Sequence, residues 1–107
     1  MTQKISTISH QVYFWLKNPE SSSDLDKLIA GLKTLASVEQ VRGIHIGTPA
    51  PTDPRPVIDS SYQAALLLFF DNSADQDAYQ IHPIHKKFVG DCSSLWSKVV
   101  VYDAKQI

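Results

Sequence analysis

Apolar residues recur along this chain first at every second position, then at every third or fourth, and the two periods alternate. Ile8, His10, Val12, Phe14 and Leu16 fall on one face at period two, with Gln11, Tyr13 and Trp15 on the other. That alternation predicts a strand from Ile8 to Leu16. Both faces are largely apolar or aromatic, more than a sheet with one wet face needs. Asn18-Pro19-Glu20 ends the strand, and the serines that follow offer a helix cap at Ser23. Leu25, Leu28, Ile29, Leu32, Leu35 and Ala36 then mark one apolar helical stripe.

Val41 to Thr48 reads as a second strand, with two glycines that require something packed close to their backbone. Pro49, Pro51, Pro54 and Pro56 make the next stretch a loop. Tyr62 to Phe70 is the strongest strand, apolar at every position from Ala64 onward. A buried helix is the rival there, but the run is short and lies between turn-formers. Asp71-Asn72-Ser73 caps a helix from about Ala74 to the His82-Pro83 break, since proline has no amide hydrogen and crowds the preceding turn. A further helix from His85 to Leu95 and a strand from Lys98 to Asp103 complete the pattern.

The order β-α-β-β-α-β predicts an α+β, ferredoxin-like fold, a four-stranded antiparallel sheet with two helices on one face. The other face is expected to stay bare and to carry Val12 and Phe14, which points to a homodimer closing sheet on sheet around an internal pocket.

Composition narrows this further. With 107 residues the chain fits one domain spanning 1–107, and 43% hydrophobic with 20% charged residues is ordinary for a globular protein. A net charge of −1 offers no broad attraction to nucleic acid or to an anionic membrane, so neither is expected as a partner. Cys92 is the only cysteine, which rules out an intrachain disulfide and agrees with a cytoplasmic location. The N-terminus has no apolar signal region, and no apolar run approaches the roughly 18 residues of a membrane span.

The chemistry concentrates at the proline break. Tyr79-Gln80-Ile81-His82-Pro83-Ile84-His85 places two histidines and a tyrosine at a fixed bend. Together with His10-Gln11-Val12-Tyr13-Phe14 and with Leu95-Trp96 leading to Val101-Tyr102-Asp103, this stretch resembles the stress-responsive A/B barrel (Dabb) proteins. The resemblance implies a dimeric α+β barrel and a relation to plant polyketide cyclases, without a metal or cofactor. It also implies His85 as general base hydrogen-bonded to Asp103, Tyr79 holding the substrate, and His10 lining the pocket. Val12, Phe14 and His82 complete the expected ligand-binding set.

An imidazole is suited to removing a proton next to a carbonyl at neutral pH, and a carboxylate on its other nitrogen fixes the tautomer. A tyrosine hydroxyl can donate to the oxygen that gains charge. Each residue also has a structural reading. His85 and Asp103 can tie a bend to a strand, His82 can bond at a corner, His10 can be a satisfied core group, and Tyr79 can be packing. A metal on His82 and His85 is disfavoured because Pro83 breaks the geometry that would align them. Three functions therefore stand open: a ligand-binding dimer of no established reaction, a cofactor-independent cyclase or lyase, and a monooxygenase of the kind that shares this fold. A filled barrel serving only dimerisation is a fourth.

Overall fold

The computed structural model describes residues 5–107. Four strands, β1 (Ile8–Leu16), β2 (Gly43–Gly47), β3 (Ala64–Phe70) and β4 (Trp96–Lys105), form one antiparallel sheet in the order β2-β3-β1-β4. Helices α1 (Ser22–Thr34), α2 (Ser73–Ile81) and α3 (Pro83–Cys92) cover one side of it. The proline break divides the second helical stretch into two helices. Short 3-10 turns at Leu35–Ser37 and Ser93–Leu95 lead out of α1 and α3. This is the ferredoxin-like α+β arrangement read from the sequence.

β1 and β3 lie at the centre, and burial alternates along both without a break. Directly opposed residues share a face, so the pairs Val12↔Leu66, His10↔Leu68 and Ile8↔Phe70 all point toward the helices. α1 meets them with Leu28 and Leu32, and the turn that follows it with Leu35, each fully buried. Burial of each such leucine contributes about 1.5–3 kcal/mol. α1 crosses α3 at Gly31, where an added Cβ would stand 2.5 Å from Cys92 Sγ and 3.0 Å from Phe88 Cδ1. The close approach of these two helices depends on that missing side chain.

Two sequence expectations change. Val12 and Phe14 do not lie on the bare face; they are 5% and 2% exposed beneath the helices. The open face carries Gln11, Tyr13, Trp15, Leu67, Phe69, Val100 and Tyr102 instead. Period two separates two faces, but with both apolar it does not say which one the helices take. The cap of α1 is Ser21 rather than Ser23, its Oγ accepting from Asp24 N at 3.2 Å. The chain turns at Asn18, whose carbonyl takes the Ser21 amide at 3.0 Å, and this starts the helix earlier.

β4 begins at Trp96 because it pairs with β1 along its whole length, from Ile8↔Lys105 to Leu16↔Trp96. β2 is short, and Phe69 packs over Gly43, where a Cβ would meet the ring at 3.1 Å. The proline-rich loop folds back onto the open face, held by Trp15 Nε1 donating to Ser61 Oγ at 2.9 Å and Leu16 N donating to Gln63 Oε1 at 2.8 Å. Among the described residues no helix is long and apolar enough to cross a membrane.

Candidate functional site

The bend between α2 and α3 is built from side chain and backbone together. α2 starts at Asn72, whose side chain accepts from Asp75 N at 2.8 Å, and runs until Pro83 removes the next donor. His82 is extended, at φ −65° and ψ 139°, as residues before proline prefer. It then caps α3, its Nδ1 accepting from Ile84 N at 3.1 Å. Its Nε2 faces Glu39 Oε2 at 3.4 Å. His82 does not line the cavity described below.

That cavity, of about 150 Å³, opens between the sheet and α2–α3. Its polar groups come from His10, Tyr79, Gln80 and His85, and its apolar wall includes Val12, Phe14, Phe88 and Trp96. Five of the seven sequence-expected site residues thus converge on one space. It lies under the helices within a single chain, not between two sheets. A separate groove on the open face, of about 370 Å³, is lined by Tyr13, Trp15, Tyr62 and Tyr102 with Gln11, Asp59 and Val100.

Asp103 also reaches this region, but its partner differs from the one the resemblance implies. The carboxylate contacts His10, Nδ1 to Oδ1 at 2.5 Å, and not His85. The reason is register: His10 and Asp103 are directly opposed across β1 and β4, on the helix side. A carboxylate only accepts, so the His10 ring carries a hydrogen on Nδ1, and Nε2 is the nitrogen that is bare in the neutral ring. The Gln76 amide stands 3.2 Å from the same Nδ1, as placed with its nitrogen toward the ring. Against an N–H, the compatible partner is the amide oxygen, which accepts, rather than its nitrogen.

His85 takes its orientation from the bend. Its Nδ1 lies 3.1 Å from the carbonyl oxygen of Gln80, which can only accept, so Nδ1 donates and Nε2 is again bare. Burial lowers the His85 pKa; the Gln80 contact opposes this, and the nearby His10 adds to the lowering. Tyr79 is 1% exposed, its ring tilted against Phe70 at 5.2 Å and against His85 at 4.6 Å between ring centroids. Burial pushes its hydroxyl well above the ordinary tyrosine range, so it serves as a neutral donor rather than a base. Two bare imidazole nitrogens and one hydroxyl therefore stand in a mostly apolar wall.

Gln76, Phe88 and Trp96 were not singled out as site residues from the sequence. Gln76 lies three residues before Tyr79 on α2, a spacing that puts both on one helix face, and this was its available signal. Among the described residues there is no group of three or more His, Cys, Asp or Glu side chains placed to hold a metal ion.

Solved structures share this fold. A Dabb family protein with a ferredoxin-like fold from Mesorhizobium loti is 24% identical, with a TM-score of 0.77, over 94% of this chain and 97% of that one. A dimeric ferredoxin-like protein of unknown function from Thermobifida fusca is 17% identical, with a TM-score of 0.75, over 99% and 96%. The hydroxynitrile lyase of Passiflora edulis is 19% identical, with a TM-score of 0.75, over 97% and 96%. At these identities the likeness is one of fold. No curated protein sequence matches the chain. The sequence pattern of the stress responsive A/B barrel domain does match, over residues 8–106, and the chain belongs to that family, Dabb.

Proposed function

We propose that the protein acts as a homodimer that binds a small, neutral, carbonyl-bearing ligand in the cavity beneath α2 and α3. The observation that carries this is the grouping of His10, Tyr79 and His85 in one cavity whose other walls are largely apolar. Such concave, mostly apolar spaces with a few converging polar groups are where small ligands bind. A volume of about 150 Å³ supports a guest of about one ring, since an apolar cavity of that size takes benzene. A hydroxyl or enol on the ligand can donate to a bare imidazole nitrogen, and its carbonyl can accept from Tyr79. A carboxylate finds no second donor among these groups in their neutral forms.

Dimerisation is supported by the open sheet face. It presents Tyr13, Trp15, Phe69 and Tyr102 together, and similar structures are described as dimeric. The expected sedimentation is that of twice 11.9 kDa, and a stable monomer at micromolar concentration would overturn this part.

A second reading, cofactor-independent proton transfer of the lyase or cyclase type, is favoured by the contact between Asp103 and His10. A carboxylate on Nδ1 stabilises the imidazolium that forms when Nε2 takes a proton. His10 then stands beside His85 as a base for a proton next to a carbonyl or on a hydroxyl. The test begins with mass spectrometry of what leaves the denatured protein. Calorimetric titration with one-ring carbonyl compounds follows, on wild type and on His85→Ala. Binding that is lost in the variant is expected; affinity that is the same in both would reject the site. Turnover by wild type that disappears in His10→Asn would select the second reading.

A further inference from the structure

The bend between α2 and α3 carries a residue whose function the cavity does not absorb. His82 sits outside the cavity, its side chain 17% exposed, with Nδ1 hydrogen-bonded to the Ile84 amide and Nε2 near the Glu39 carboxylate. Its Nδ1 accepts from the Ile84 amide, so it is bare of hydrogen, and its Nε2 lies 3.4 Å from Glu39 Oε2. A ring that accepts at Nδ1 carries its hydrogen on Nε2.

The consequence for His85 follows from the backbone. In an unbroken helix the Gln80 carbonyl would accept from the Ile84 amide, four residues on. Here the Ile84 amide goes to the His82 ring, and the Gln80 carbonyl accepts from His85 Nδ1 instead. His85 is the third residue of α3, in the turn that this cap holds. We propose that His82 is a positioning residue, which by capping α3 holds His85 on the Gln80 carbonyl and so keeps the cavity-facing imidazole in its Nδ1–H form. This rests on the reading of His85 as part of the ligand site, but it concerns the free protein and is measured there.

The experiment is nitrogen-15 NMR of the histidine rings in ligand-free wild type, His82→Ala and His82→Asn. Asparagine is a strong N-cap and alanine is not. Wild type and His82→Asn are expected to show His85 with its hydrogen on Nδ1, and His82→Ala to show a shift toward the Nε2–H form. A chain that has merely lost stability but remains folded would not move this signature. An unchanged Nδ1–H signal in folded His82→Ala would overturn the proposal, as would its loss in His82→Asn. If His82→Ala does not fold, hydrogen exchange of the Ile84 amide in wild type decides. Protection at least tenfold above an open first-turn amide supports the cap, and exchange at the open rate overturns it. Failure of ligand binding leaves these signals in place, so the two readings fail separately.

Discussion

Asp103 and His10 face each other across β4 and β1, and the carboxylate takes the imidazole Nδ1–H at 2.5 Å. His10 is 5% exposed, so this contact satisfies a polar group inside the core. It also determines which nitrogen of a cavity imidazole is left to accept. Removing the carboxylate should therefore be felt in both stability and chemistry. Asp103→Ala is expected to cost about 1–3 kcal/mol, the range for leaving a buried polar group without its partner. A urea midpoint equal to that of wild type would count against a formed bond in solution.

Tyr79 separates packing from chemistry. Its ring is buried, and it lines the cavity with His10 and His85. Tyr79→Phe should keep the urea midpoint close to wild type and weaken ligand binding about fivefold, the loss of one bond of about 1 kcal/mol. Tyr79→Ala should instead cost about 3–5 kcal/mol through the space it leaves. Calorimetry and urea unfolding of the two variants check both halves.

The histidine at the bend makes stability depend on pH. Burial holds the folded pKa of His85 below its ordinary value of 6.5. The unfolded chain then binds the proton more readily, so stability rises with pH in this window. The His85 contribution is fully present above about pH 6.5 and is lost as pH falls toward the folded pKa. Urea midpoints of wild type and His85→Gln, measured from pH 8 to pH 5, should show a shallower acid-side decline in the variant. Parallel curves would sink this assignment.

The α1–α3 crossing gives a packing test away from the cavity mouth. Gly31→Ala places a methyl group 2.5 Å from Cys92 Sγ and is expected to destabilise by about 1–3 kcal/mol. Adding Cys92→Ala should recover part of that loss, because the two sites share one contact. Strict additivity in the double-mutant cycle would show that the helices move apart freely.

The open face offers a last test. Tyr102 is 60% exposed there, beside Tyr13 at 6.2 Å between ring centroids. Tyr102→Arg should halve the sedimenting mass from twice 11.9 kDa while leaving the circular dichroism spectrum unchanged. An intact dimer would show that the partner sits elsewhere.

The local elements of this protein are legible in its sequence because their causes are local. Alternation along Ile8–Leu16, the leucine stripe of α1 and the break at Pro83 each depend on residues within a few positions. The convergence of His10, Tyr79 and His85 was legible too, but through motif resemblance rather than period. Three things needed the tertiary structure. Which face of β1 the helices cover is undetermined when both faces are apolar, and this is why Val12 and Phe14 belong to the core and Tyr13 and Trp15 to the open side. The extent of β4 follows from pairing with β1, a contact between segments some ninety residues apart. The partner of Asp103 depends on the register of that same pairing. A shift by one residue would turn the carboxylate to the other face, and nothing in the strand's own sequence sets that register. The sequence by itself determined the groups available for chemistry; the sheet decided that His10, not His85, holds the carboxylate.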